Sequence, residues 1–199
     1  MNRSFYLFFT DMASAKRETL LATAEALFYA EGFHATGVDR VVSEAGVARM
    51  TLYNHFPSKE ALIEAVLARR YARYLEDLRT AVDGAAPGEA VSALVEVHCR
   101  WLETTSEHGC MVIRAIGEFE GHHSPIVELG LQLKRELLEV IGNTLARDGF
   151  TDVSTGAERL LVVLEGANSL APVLGSDVAT RHLREIWPAV ISGRHQGTA

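Results

Sequence analysis

Between residues 49 and 55 the chain sets Arg49, Met50, Thr51, Tyr53, Asn54 and His55 around one apolar position, Leu52. A solvated helix face ordinarily carries Glu, Lys or Gln. Here a guanidinium, a hydroxyl, a phenol, an amide and an imidazole stand together with no acid among them. Such groups donate to phosphate oxygens and base edges, and an acid in their midst would repel a duplex backbone. Two short helical patterns must position them. The first follows Thr36, whose hydroxyl can cap a helix start, and carries Val38, Val41 and Val42 at the offsets of one apolar face. It stops at Gly46, a residue suited to the sharp turn that lets a second helix cross the first. The second helix runs from about Ala48 to His55, with Leu52 inward and Val47 just ahead of it. The pair reads as a helix-turn-helix whose second member enters a major groove. The competing reading is an αα-corner in an ordinary helical domain, with Tyr53 and Phe56 as core.

Residues 36–62, TGVDRVVSEAGVARMTLYNHFPSKEAL, resemble the DNA-binding signature of the TetR family of bacterial transcriptional regulators, and the resemblance runs without a gap from about Ser14 to Leu67. Gly46-Val47, Thr51-Leu52-Tyr53, His55-Phe56 and Ser58-Lys59-Glu60-Ala61-Leu62 carry it most specifically. The resemblance implies phosphate contacts from Tyr53, His55 and Lys59, and a further phosphate at the helix start offered by Thr36 and Gly37. It places Arg49, Met50, Thr51 and Asn54 where bases are read. Arg49 is the candidate for a guanine, because its fork matches O6 and N7 together.

The totals allow this without demanding it. The 199 residues are 48% hydrophobic, 23% charged and 8% aromatic, as expected of a soluble globular protein with one or two packed cores. A net charge of −7 weighs against nucleic acid, since binders usually show a basic footprint. Between Ser14 and Arg70, however, seven Lys and Arg balance seven Asp and Glu, so the excess acid lies beyond the head. Two cysteines, Cys99 and Cys110, suit a reduced, cytoplasmic protein. The apolar run Phe5-Tyr6-Leu7-Phe8-Phe9 is too short to span a membrane and lacks a cleavage site. With Met12 close behind, residues 1–13 read as a flexible extension.

The expected fold is all-α, with about nine helices in two parts: a three-helix DNA-binding domain over 14–60 and an effector-binding and dimerisation domain over 61–199. From Ser14 a helix with Leu20, Ala24, Leu27 and Phe28 in register runs to Gly32, and Lys16 and Arg17 at its start are candidate phosphate contacts. Ser58 caps a long helix that runs toward Gly84 and joins head to body, where it would act as a lever. Beyond the loop at 83–88, helices are expected over Glu89 to Thr105, Cys110 to Phe119, Ile126 to Arg147, Ser154 to Leu174 and Val178 to Ile191, with Pro172 and Pro188 ending or kinking the last two.

Leu160-Leu161-Val162-Val163-Leu164 is apolar all round, so this helix must be covered on two sides. The alternatives are a central core helix in a monomer and a subunit interface. The resemblance implies the second: a four-helix bundle with a partner copy, with Leu160, Leu164, Ala167, Ala171, Leu183 and Trp187 as interface candidates. It also implies a cavity in the body for a small-molecule effector. By helical position His98, Trp101, Met111, Arg114, Glu118, Phe119 and Asn168 are the candidates to line it. The whole reading is a homodimeric repressor, released from a near-palindromic operator by an effector.

No nucleophile elbow, HExxH or GxxxxGK[ST] pattern is present, so no enzyme is expected, and no cofactor or metal. Cys99, His108, Cys110, His122 and His123, with His98 adjacent, are metal-ligand types, but they lack C-x2-C or H-x3-H spacing. A metal-responsive regulator, or a ligand-binding protein or enzyme using the Cys99/His108/Cys110 region, is the alternative.

Overall fold

The computed structural model describes residues 3–106 and 108–191, with side chains from Ser14 onward. Among the described residues there are nine helices and no strand: α1 (Arg3–Glu31), α2 (Val38–Glu44), α3 (Arg49–His55), α4 (Lys59–Gly84), α5 (Ala90–Thr104), α6 (Met111–Phe119), α7 (Ser124–Arg147), α8 (Val153–Leu174) and α9 (Ser176–Val190). The all-α expectation holds. Helical backbone in α1 runs through residues 3–13, which the sequence suggested as a flexible extension; no Pro or Gly interrupts them. Residues 1–2 lie outside the described residues.

The chain divides into two compact units. The first comprises residues 1–70 together with 115–129, the second 71–114 with 130–199. The head is therefore larger than the segment 14–60 read from the sequence. It includes the opening turns of α4, the second half of α6 and the start of α7.

In the first unit, Leu20, Leu21, Ala24 and Phe28 of α1 and Val41, Leu52, Leu62, Ile63, Val66 and Leu67 of the helices that follow are all fully buried. Gly46 takes φ +64 between α2 and α3, a backbone that a side-chain-bearing residue adopts only under strain. Ser58 caps α4 as expected, its Oγ accepting from the Ala61 amide at 3.1 Å. Arg70 donates to Glu25 at 2.9 Å and so ties α4 to α1.

The second unit is fastened by charges reaching across the sequence. The first amides of α5 lack a local cap. Asp148, at the end of α7, supplies one, accepting from the Ala90 and Val91 amides at 3.2 and 2.8 Å. Next to it Arg147 donates to the Val82 carbonyl, which also accepts from the Ala85 amide, and, at 3.0 Å, to the carbonyl of Ala85 just beyond the end of α4. Arg184 of α9 binds both carboxylate oxygens of Glu96 on α5, at 2.9 and 3.1 Å. Neither proline stops its helix at once: α8 continues past Pro172 to Leu174 and α9 past Pro188 to Val190. So close to a C-terminus, a proline removes only one bond of the ladder, to the carbonyl four residues back. For Pro172 that carbonyl belongs to Asn168, and Gly109 packs against it at φ +87, where an added Cβ would stand 3.2 Å from the oxygen.

Candidate functional site

The Gly46 turn leaves α3 with one buried residue, Leu52, and turns the rest outward. Met50 is 68% exposed, and Arg49, Tyr53 and Asn54 are also exposed, while Thr51 and His55 are half-buried. Lys59, half-buried, begins α4. The face is therefore assembled as the sequence suggested, with two departures.

Thr36 does not cap α2. The capping position belongs to Gly37, which offers no side chain, and Thr36 is fully buried with its hydroxyl donating to the Leu27 carbonyl at 3.4 Å. A threonine one residue too early for the cap is drawn inward to satisfy a carbonyl of α1. Its hydroxyl is thus not available to a phosphate, and any contact at this helix start belongs to backbone amides.

The second departure is an acid. None lies on α3, but Asp39 of α2 reaches over and accepts from Arg49 at 2.9 Å. Arg49 also donates to the Tyr53 hydroxyl at 3.5 Å and lies over its ring, 5.7 Å from the centroid. The Tyr53 hydroxyl, then Asp39, raises the Arg49 pKa. The guanidinium is thereby held on the outer face of α3. Arg17, a candidate phosphate contact, stacks over Phe56 at 5.3 Å.

The residues chosen for an effector cavity separate into three groups. Glu118 and Phe119 belong to the head. Phe119 packs edge-on against Phe33 at 5.8 Å and lies 4.9 Å from the His34 ring, while His34 bonds the Glu118 carbonyl at 3.0 Å and its amide donates to the Glu118 carboxylate at 3.4 Å. They brace the connection that leads into α2, so they are corrected from cavity lining to support of the DNA-reading helices. Met111 is core, and Trp101 is half-buried, lining two hollows of about 450 and 670 Å³ with Asp77 and Thr105.

His98 and Asn168 are brought together with Cys110 and Trp101 and with four residues that sequence reading assigned no functional part, Tyr71, Tyr74, Lys134 and Glu165. Lys134 of α7 forms an ion pair with Glu165 of α8, donates to the Cys110 sulfur at 3.2 Å and lies over the Tyr71 ring at 5.1 Å. Asn168 donates its amide to Glu165 at 3.3 Å. Tyr74 stacks with Tyr71 at 5.6 Å and with Trp101 at 5.3 Å, and its hydroxyl meets His98 Nδ1 at 2.7 Å. Burial opposes the Lys134 charge, yet Cys110 and Glu165 outweigh it and its pKa is raised. Burial pushes the Cys110 and Tyr71 groups up, and drives His98 down to about 4. One ion pair thus sits among neutral partners. Arg114 is half-buried in the same unit.

The histidines and cysteines suggested as metal ligands are not assembled. Cys99 lies 3.9 Å from the Thr180 carbonyl, with its thiol pushed up to about 11 by burial, whereas Cys110 adjoins Lys134 and His123 adjoins Glu64 in the head. Among the described residues no three His, Cys, Asp or Glu are placed to hold a metal ion.

The interface candidates face mostly into the chain's own second unit. Leu160, Leu164, Ala171 and Leu183 are buried within their own unit, Ala167 packs against Leu102 and Ala179, and Trp187 is half-buried. Two residues along a helix is about 200° around it. The opposite stripe, Val162, Gly166, Leu170 and Val173, is the outward one, with Val162 and Val173 71% and 75% exposed and Ile186 of α9 also exposed. Both sides of α8 are apolar, as read from the sequence, and among the described residues only one is covered.

Comparison with known proteins supplies the context. The family model described as "Bacterial regulatory proteins, tetR family" matches residues 20–66. The transcriptional activator FasR of Mycolicibacterium smegmatis is 33% identical over 93 residues, 46% of this chain and 42% of that protein, so the chain matches less than half of that relative's length. The transcriptional regulator LmrA of Bacillus subtilis is 28% identical over 183 residues, 88% of this chain and 96% of that protein. Among solved structures, a TetR-family transcriptional regulator from Streptomyces coelicolor superposes with a TM-score of 0.83 at 26% identity, covering 89% of this chain and 94% of its own.

Proposed function

Because the chain belongs to the tetR family of bacterial regulatory proteins, a family of DNA-binding transcriptional regulators, we propose that it works as a homodimeric repressor, released from a near-palindromic operator by a small-molecule effector. The observation that carries the DNA reading is the outward face of α3, where Arg49, Met50, Tyr53 and Asn54 project beyond a helix anchored only by Leu52. Arg49 and Asn54 read base edges, and Tyr53, His55, Lys59 and the Gly37 amide hold phosphates. The exposed apolar stripe of α8 with Ile186 of α9 supports pairing with a second copy. Two α3 helices set about 34 Å apart then meet successive major grooves.

Effector release needs a ligand with unequal affinity for two arrangements of the dimer, and it can act only by that difference. The helices α4, α6 and α7 each contribute residues to both units, so a change in the body has continuous helical routes to the head. Within the head, α6 ends on Phe33 and His34, immediately before α2. No helix among the described residues is long and apolar enough to cross a membrane, in keeping with work in the cytoplasm.

The test is a mobility-shift titration against DNA flanking the chain's own gene, at two salt concentrations, with wild type and Lys59→Ala. A saturable, competitor-resistant shift of dimer size is expected, weakened in the variant on every sequence and with a salt slope shallower by about 1. Failure to bind either this DNA or a genome-wide fragment pool, from folded protein, would overturn the reading.

A further inference from the structure

An acid in contact with a DNA-reading face calls for a physical reason, because a phosphate backbone repels it. The Asp39 side chain is 77% exposed, so no buried group requires its charge. It stands in the first turn of α2, where a carboxylate ordinarily answers the positive end of its own helix. Yet Asp39 Oδ1 accepts from Arg49 Nη1 at 2.9 Å, ten residues on and in the next helix. The neighbouring Arg40 pairs with Glu31 and Glu44, which leaves Asp39 to Arg49. An exposed ion pair of this kind contributes little to stability. Its consequence lies in where it leaves the arginine.

Two further contacts act on the same guanidinium. Arg49 Nη2 donates to Tyr53 Oη at 3.5 Å, and the group lies over the Tyr53 ring, 5.7 Å from its centroid. Two of the five N–H groups are spent in this way. One remains on each terminal nitrogen and one on Nε, so the fork can still meet guanine O6 and N7 together. An unrestrained arginine beside a duplex has many phosphates within reach and few guanines. Phosphate contacts add affinity on every sequence and carry no sequence information. A carboxylate bound to the arginine shifts that balance in two ways. It offsets the guanidinium charge, which weakens the pull toward phosphate, and it orders a long side chain before DNA arrives. Only a partner with two acceptors in the right plane then offsets the approach of an acid to the backbone.

We propose that Asp39 is a positioning residue for base readout: it keeps Arg49 off the phosphates and presents its fork to a guanine, so that it lowers affinity for DNA in general and raises discrimination at one base pair. This deepens the DNA-binding reading above and rests on it.

The full-length protein first selects its site from a randomised duplex pool, and the pair read by Arg49 is the one at which Arg49→Ala loses preference. Anisotropy titrations then compare the selected duplex, the same duplex with that pair exchanged, and a scrambled duplex, for wild type, Asp39→Ala, Asp39→Asn, Arg49→Ala and the Asp39→Ala/Arg49→Ala double variant. Asp39→Ala should bind scrambled DNA about twofold more tightly, as one negative charge leaves the interface, while its preference at the Arg49 pair falls about fivefold. Asp39→Asn, which retains an acceptor and loses the charge, should bind scrambled DNA as the alanine variant does and keep part of the preference. In the Arg49→Ala background, adding Asp39→Ala should leave the preference at that pair where it was, since Asp39 acts through Arg49. Urea midpoints should stay near wild type. The proposal is overturned if Asp39→Ala strengthens all duplexes equally with preference intact, the mark of simple repulsion, or weakens all of them equally and lowers the midpoint, the mark of support for the fold. It is also overturned if Asp39→Ala alters the preference in the absence of Arg49, the mark of a base contact of its own, or if Arg49→Ala loses preference at no pair. Folded wild-type protein that selects no sequence from the pool would sink the DNA-binding reading itself, and this inference with it.

Discussion

Lowering the pH should destabilise this protein through His98 in particular. The imidazole is buried, receives the Tyr74 hydroxyl at Nδ1 and is held near pKa 4, chiefly by burial, against an ordinary 6.5. With the folded value below the unfolded one, the unfolded chain takes up the proton first as pH falls. Stability from the neutral ring is therefore fully present above about pH 6.5, is lost progressively below it, and stops falling near pH 4. At about pH 5 the loss is about 2 kcal/mol, from about 1.36 kcal/mol for each pH unit below the unfolded pKa. Acid-sensitive groups other than His98 are common to the two proteins, so their contributions largely cancel in a comparison with His98→Gln. Urea unfolding of the two proteins at one concentration, at about pH 7.5 and about pH 5, gives the double difference. A thermal scan should show wild type losing about 4–8 °C more than the variant over the same interval. Equal losses in both would refute the reasoning, since the ring would then be charged or solvated in the folded state.

Arg49→Ala should reduce operator affinity about tenfold or more and relax preference at one base pair per half-site, leaving non-specific binding little changed, as a binding-site selection would reveal. Gly109→Ala should cost about 1–2 kcal/mol in urea unfolding, because the positive φ strains any side-chain-bearing residue and the new Cβ meets the Asn168 carbonyl. Val173→Asp, on the outward stripe of α8, should yield monomers in analytical ultracentrifugation with helical content intact, whereas Leu164→Asp, buried in the same helix, should unfold the body.

Local chemistry made the helix-turn-helix legible. A glycine that turns the chain, a single inward leucine and a serine cap each act within a few residues, so α2, α3 and the start of α4 fall where the sequence put them. Thr36 failed because capping is decided by one residue's shift, and Gly37 took the position. Which face of α8 the chain buries was not legible for another reason: apolar residues line both sides, and nothing local says which side the chain itself will cover. Lys134 and Glu165 passed unnoticed because a charged residue on an amphipathic helix reads as solvated. Their pairing depends on α7 and α8 approaching from positions 31 residues apart. Asp148 and Arg147 likewise looked like the polar end of one helix, while their hydrogen bonds serve the ends of two others.

The packing of Phe119 on Phe33 changes what counts as a transplantable module. A chimaera that joins this head to a relative's body at residue 70 would carry over α1 to α3 yet leave behind the segment 115–129 that completes it. The grafted Phe33 and His34 would meet whatever residues the recipient presents there. DNA-sequence specificity in such hybrids should follow the donor only when two stretches of sequence travel together, and variants selected for lost DNA binding should cluster in both.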